Sequence, residues 1–471
     1  MEYNNKVIVN FSYEEFGYPL LFMLSLTLLG LECPLGYFFI MAMLFYSFKN
    51  NRYDFLIQCT MLFGAFRYYD DDIAFPFKLA DVALVICLIS TLLYRKDKTL
   101  RYLLGLTFIY FLFLFIIAKI SDEAIFVQFR RLRLYMYIIY FMFPLLVFSK
   151  KKFEIEKLFN HLFIYVFIIS IFIILDSVVL SSHVFLPRAV YGDLTYTTLK
   201  IAPFSAYYRI YPQPIFISAL LLYPTMHYCK LPVWYWLGIA GGMLCTKTIS
   251  IMGGFIITWV LFTGSWKLKL KSLIIVITTL YIGSITDEKL GGALRINQLF
   301  EQFSIFSEGN QVLDDMESLA DFGSGRGAQI IPKLELLTST DKQLFGFGFL
   351  HDKLTTDEEY IINNQYYIDQ SKAEEVASLV EVTQIQTILD MGFIGFIVQH
   401  VFYFLIYLII RKYKYSSYYA MTLVCISLFG IGGFAGLISH YGLLPLGLVL
   451  GSVLLINKNV DYETVNSNSR I

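Results

Sequence analysis

Cysteine is scarce in this 471-residue chain: there are six, and none falls in its one long polar stretch. At positions 33, 59, 87, 229, 245 and 425 they lie in or beside apolar segments, which excludes a disulfide framework and a thiolate metal cluster. The six histidines, at 161, 183, 227, 351, 400 and 440, show neither an i, i+4 pair nor an HExxH spacing. No metal site or other cofactor is expected from such a set, and each histidine reads as an ordinary span-end or loop residue. Charge is also thin, at 16% of residues, and its 37 Lys and Arg are cancelled by 37 Asp and Glu, so no basic surface for nucleic acid is expected. No internal repeat is visible, which argues against the inverted-repeat transporters. Met1 to Phe16 lacks a basic region followed by an apolar core and a small-residue cleavage site, and no removable signal peptide is expected.

What the chain has in excess is apolar surface. With 57% hydrophobic and 18% aromatic residues and a mean hydropathy of +0.61, it reads as an integral membrane protein. Its apolar runs approach the ~20 residues that cross ~30 Å of hydrocarbon as a helix. They fall at roughly 17–31, 34–48, 54–68, 74–94, 102–119, 134–149, 158–179, 212–228, 233–247, 248–263, 271–284, 387–410, 417–437 and 441–456. The expected fold is therefore an all-α polytopic membrane protein of about 14 spans, 12 to 14 if the shorter runs do not cross, with one large loop outside the membrane. In this reading residues 1–284 form an N-terminal membrane block, 285–383 the loop, 384–456 the C-terminal helices and 457–471 a polar tail.

Basic residues orient these spans. With the N-terminus cytoplasmic, Lys49 and Arg52, Arg95 to Arg101, Lys150 to Lys152, Lys230, Lys267 to Lys271 and Arg411 to Lys414 all fall inside, as the positive-inside rule requires. The long polar stretch, Ser284 to Thr383, then falls outside. It holds 18 Asp and Glu against 7 Lys and Arg, a net of −11 in a chain whose total is zero.

Orientation does not explain the arginines on the outer side: Arg67, the group Arg130, Arg131 and Arg133, Arg188 and Arg209 in the loop from Leu180 to Tyr211, and Arg326 in the long loop. A guanidinium offers phosphate a rigid two-pronged fork, which an ammonium cannot. A set of them at one headgroup level points to a phosphate-bearing lipid. The competing explanation is snorkelling to ordinary headgroups or pairing with Asp70, Asp122 and Glu123. Tyrosines crowd the span ends as an interfacial belt, while Tyr208, Tyr366 and Tyr367 stand in loops where a ring could stack on a sugar.

Within the long loop, Gly323-Ser-Gly-Arg-Gly327 precedes a helix-patterned segment, then comes Phe345-Gly-Phe-Gly348, and then Glu381 leads through Ile385-Gln386 to Leu389-Asp-Met-Gly392 and Gly395. This order resembles the signature of the O-antigen polymerase and O-antigen ligase superfamily: an Arg-led helix, a P-x-x-G-x-G turn, then an H-N-x-x-L-Q-x-L-x-E-x-G-x-x-G span start. The matching residues are Arg326, Gly346, Gly348, Ile385, Gln386, Leu389 (one place off the pattern's leucine), Asp390 in place of Glu, Gly392 and Gly395. Three features depart from the pattern. Gln343 stands where the family has proline, Glu381 stands where ligases carry histidine, and no Ser-Arg pair follows the turn near Ser250. An acidic residue at the histidine position is more like the capsule or O-antigen polymerase branch.

The resemblance implies a GT-C-like glycosyltransferase in a bacterial inner membrane, with both termini cytoplasmic and the large loop periplasmic. Its activity would be metal-independent polymerisation of undecaprenyl-diphosphate-linked repeat units, for lipopolysaccharide or capsule. Donor and acceptor lipid-linked oligosaccharides would be its partners, along with a protein that regulates chain length. Glu381 would be the general base and Arg326, the other catalytic residue, would contact diphosphate. Arg67 and Arg209 would bind the same group, with Arg130, Arg131 and Arg133 as further candidates and Tyr208, Tyr366 and Tyr367 on glycan. A ligase passing glycan to another acceptor, and a flippase or other transporter, remain open alternatives.

Overall fold

The computed structural model describes residues 7–8, 13–31, 33–65, 79–93, 97–121, 124–148, 153–180, 184–185, 229–230, 233–245, 249–262, 266–289, 330, 332–350, 359, 362, 382–431 and 436–468. These are helical apart from loops and one two-residue parallel pairing, Val7–Ile8 against Cys229–Lys230. The helices are α1 Tyr13–Gly30, α2 Leu35–Lys49, α3 Asp54–Ala65, α4 Leu79–Ser90, α5 Lys98–Ile120, α6 Ile125–Met136, α7 Met142–Phe148, α8 Ile155–Ile174, α9 Val233–Cys245, α10 Ile249–Phe262, α11 Trp266–Lys289, α12 Thr383–Ile410, α13 Ser416–Ile431 and α14 His440–Asn468. A short helix also runs over 332–339.

Among the described residues five segments are long and apolar enough to cross a bilayer: Lys98–Ile120, Ile125–Phe148, Ile155–Ile174, Thr383–Ile410 and His440–Asn457. Shorter apolar helices cover Glu15–Leu29, Leu35–Lys49, Asp54–Phe63, Leu79–Ser90 and Ser416–Gly430. The expected run at 212–228 lies outside the described residues. Three boundaries differ from the composition reading: α11 runs on to Lys289 and α14 to Asn468, past the expected ends at 284 and 456, and the helix that enters the sixth apolar run begins at Ile125, not near residue 134. Its arginines lie within helical backbone because two of them are neutralised there, as described below.

The centre of the bundle is the continuation of α6. Residues Tyr137–Phe141 tighten into a 3₁₀ turn before α7, and every residue from Tyr137 to Met142 is at most 1% exposed. The sequence allows this burial because α14 carries Gly447 and Gly451 one turn apart: a Cβ on either would come within 2.9 Å of the Phe141 backbone. Small residues at this spacing let two helix backbones approach where lipid offers no hydrophobic drive.

Four helix ends meet at one end of the bundle. Tyr53 accepts a hydrogen bond from the Glu154 N–H at 2.9 Å, Tyr413 donates to Thr99 Oγ1 at 2.7 Å, and Tyr415 donates to the Glu156 carboxylate. At the same end buried Asp54 pairs with Arg52 Nε at 2.8 Å and His161 Nδ1 at 3.1 Å. These ends carry Lys49, Lys98, Lys157 and Arg411 to Lys414, so these basic flanks lie together at one end of the bundle.

Candidate functional site

At the other end, α12 is broken. Gly392 has φ 68° and ψ −176° inside an otherwise helical run. A Cβ at Gly436 would lie 2.1 Å from Thr383 Oγ1, and Gln399 Nε2 donates to the Leu437 carbonyl at 3.1 Å. Straight helix would hold Thr383 and Gln399 about 24 Å apart. Their contact with two consecutive residues means that the half before Gly392 folds back toward the half after it.

A broken helix leaves N–H and C=O groups without partners, and in an apolar setting each must find one. The Phe345-Gly-Phe-Gly348 turn supplies them. Phe347 N–H donates to Leu389 O at 2.8 Å and Gly348 N–H to Asp390 O at 3.1 Å, while Phe393 N–H donates to Gln343 O at 3.0 Å and Ile394 N–H to Leu344 O at 3.1 Å. The turn fits because Gly346 and Gly348 also adopt positive φ, 73° and 82°, and because none of the three glycines has a side chain. A Cβ on Gly392 would stand 2.2 Å from the Leu344 carbonyl carbon, and one on Gly346 would stand 2.6 Å from the Gly392 nitrogen. Two sequence motifs that lie about forty residues apart are thus one backbone unit.

Helix α6 clamps this unit. Arg131 Nε donates to Asp390 Oδ2 at 3.1 Å and Arg131 NH2 to Gln386 Oε1 at 2.7 Å. Tyr135, one turn on, donates to the same Asp390 oxygen at 2.5 Å. Gln128, one turn earlier, donates to Ala118 O at 2.8 Å and accepts from Phe349 N–H at 3.0 Å. The spacing 128, 131, 135 places these side chains on a single helix face. Arg133 is turned about 200° from Arg131, and it pairs with Asp81 Oδ2 of α4 at 2.6 Å, with Tyr137 donating to the other Asp81 oxygen at 2.7 Å. Helix α6 therefore links the broken helix on one face to α4 on another.

Beside the break Thr383, Gln384, Thr387, Phe396, Gln399, His400, Ser427 and Leu437 line a small cleft with room for about one water molecule. On the 332–339 helix, burial pushes the Lys333 ammonium down to about 8.

Of the expected site residues, Arg130, Arg131 and Arg133 are among the described ones. Arg130 is exposed, whereas the Arg131 and Arg133 side chains are 11% and 10% exposed and held in the pairs above. Glu381, Arg326, Arg67, Arg209, Tyr208, Tyr366 and Tyr367, along with Asp70, Asp122 and Glu123, lie outside the described residues. The structure brings together Gly346, Gly348, Gln386, Asp390 and Gly392, the motif residues that the sequence sets in two separate blocks. Tyr135, Gln128 and Asp81 belong to no motif, and sequence reasoning misses them. For Tyr135 and Gln128 the only signal in the sequence is a polar side chain one turn from Arg131, and Asp81, on α4, has none. The amides and hydroxyls of the cleft show only as interruptions of apolar helices. Neither a comparison with protein-family models nor one with curated proteins finds a match to this chain.

Proposed function

We propose that this chain is a membrane glycosyltransferase that polymerises lipid-diphosphate-linked oligosaccharide units, moving a growing glycan from one polyprenyl diphosphate onto a sugar hydroxyl of a fresh unit. The observation that supports it is the convergence of three elements on one spot. The Gly-x-Gly turn, the span start from Gln386 to Gly392 and the arginine-bearing helix α6 meet at the break in α12. The first two are the motif blocks on which the resemblance to O-antigen polymerases rests. Of the three α6 arginines only Arg130 is exposed, as contact with a diphosphate calls for, whereas Arg131 and Arg133, expected to bind the same group, are paired with Asp390 and Asp81.

In this reading the protein has about 14 spans in a bacterial inner membrane, and the loop that carries Arg326 and the turn is periplasmic. The diphosphate is already a good leaving group, so the protein has to supply alignment, charge stabilisation and a base. Arg326, Arg209 and Arg67, with Arg130, neutralise the departing diphosphate. Glu381 takes the acceptor hydroxyl proton. Arg131 and Asp390 act as positioning residues: by fixing the short helix that follows Val382, they set where Glu381 stands.

The test is genetic and chemical. In the native host, Glu381→Gln and Arg326→Ala should each yield an inserted protein and single-unit glycans only, sized by mass spectrometry of the released lipid-linked and surface material. Normal polymer length in both strains would sink the catalytic assignment. If lipid-linked polymer still lengthens when the whole chain is deleted, the activity is ligation to another acceptor.

A further inference from the structure

We infer that the cleft between the two arms of α12 binds one ordered water molecule, which joins those arms to α13 at membrane depth. The inference stands apart from the polymerase reading and holds for any activity of the chain.

Size and charge narrow the occupant first. The cleft has room for about one water molecule, which excludes an organic ligand. None of its lining residues is Asp, Glu, Lys or Arg, so it offers neither a carboxylate to a bare cation nor a fixed cation to an inorganic anion. What remains is a small neutral group that both donates and accepts.

The lining asks for both roles. Thr387 O–H is spent on Thr383 O at 3.0 Å and Ser427 O–H on Leu423 O at 2.9 Å, so each of these hydroxyl oxygens has only lone pairs left to offer. Gln384 Nε2 donates one hydrogen to Ser427 O at 2.8 Å and Gln399 Nε2 one to Leu437 O at 3.1 Å, and each amide keeps a second N–H. His400 Nδ1 lies 2.8 Å from Phe396 O, which leaves Nε2 as a donor or an acceptor according to the charge of the ring. A bound water needs two to four polar partners. Here the short arm, the long arm and α13 each supply at least one, with donors and acceptors both among them.

Depth gives the water its role. Gln399 stands seven residues past Gly392, about 10 Å further along the helix, yet it meets the same two-residue segment, Gly436 and Leu437, as Thr383 from before the break. The chain therefore doubles back inside the apolar layer. Backbone that does so is tolerated only where protein or water satisfies its polar groups. Val382 and Thr383 are each 8% exposed, so bulk solvent does not perform this task at the start of the short arm. A single water held between the arms performs it from within.

The experiment exposes the whole protein in lipid nanodiscs to a synchrotron X-ray pulse, which turns water into hydroxyl radicals that oxidise the nearest side chains, and reads the products by peptide mass spectrometry. Leu437, 6% exposed and lining the cleft, should be oxidised, whereas Leu443, 0% exposed and outside it, should stay unmodified. Thr387→Val leaves the room for the water, and Thr387→Ile fills it with one further methylene, so the oxidation of Leu437 should survive in the first and be lost in the second. Ser427→Val fills the cleft from α13 and should lose it too, which keeps the test alive if Thr387→Ile does not fold. Melting temperatures add a sign: an apolar group that displaces a hydrogen-bonded water destabilises, whereas one that fills an empty space stabilises. Thr387→Ile should therefore melt below Thr387→Val. An unmodified Leu437 in the wild type, oxidation that persists in the folded Ile or Val-filled variants, or Thr387→Ile melting above Thr387→Val would each overturn the inference. None of these outcomes touches the polymerase reading, which the Glu381→Gln strain tests separately.

Discussion

Arg131 and Asp390, 259 residues apart in the chain, are joined Nε to Oδ2 at 3.1 Å, with the carboxylate at 0% side-chain exposure and the guanidinium at 11%. The pair ties helix α6 to the short helix before Gly392, and Tyr135 and Gln386 complete its hydrogen bonding.

Removing one partner of this pair leaves the other buried without the opposite charge that faces it. Such a loss destabilises by about 3–5 kcal/mol, while replacing both partners with apolar side chains of similar size is often close to neutral. Arg131→Met and Asp390→Leu should therefore each lower the melting temperature in detergent markedly, and the double variant should lose much less than the sum. Additive losses would mean that the two residues act independently.

The broken helix makes a second prediction. At Gly392 and Gly346 alanine meets both a positive φ and backbone atoms at 2.2 and 2.6 Å, and backbone does not move aside as a flexible side chain does. Gly392→Ala and Gly346→Ala should each abolish polymer formation and lower the melting temperature. Gly105, inside α5, is the control, since a methyl group added there would meet no atom within 4 Å. Gly105→Ala should be neutral or stabilising by about 0.4–1 kcal/mol, as expected where alanine fits the native backbone.

The three arginines of α6 should separate by function. Arg133→Ala removes the charge opposite the buried Asp81 carboxylate and should lower the melting temperature strongly. Exposed Arg130→Ala should leave the melting temperature unchanged and reduce polymer yield, in keeping with contact to diphosphate. Comparing thermal unfolding with glycan length in the two strains decides between these roles. A stable Arg133→Ala protein with short glycans would reverse them.

The positions of most described helices were legible because apolar run length acts locally. The ends near Lys49, Lys98, Lys157 and Arg411 sort to one end of the bundle by the same charges that stand beside them in the chain. The start of α6 was not legible. Composition reads Arg130, Arg131 and Arg133 as a flank, whereas two of them are neutralised by Asp390 and Asp81, which lie far away in sequence. The break at Gly392 was hidden for a similar reason: the apolar residues on either side fit one continuous helix, and only a turn from the distant loop satisfies the backbone groups that the interruption frees.

Lys333 carries a pH dependence with a definite sign. It is 1% exposed on the 332–339 helix, and burial brings its ammonium down to about 8, below the roughly 10.4 of an unfolded lysine. Between these two values the unfolded chain binds a proton that the folded chain does not, so this residue's contribution to stability rises with pH across that window. Below about 8 both states are charged, and the folded state carries a buried ammonium. Other groups titrate in the same range, so the observable is a difference. At pH 7 Lys333→Met should melt above the wild type, and the gap should close as the pH is raised from about 8 toward about 10.4. A gap of constant size across that range would show that Lys333 holds the same charge folded and unfolded.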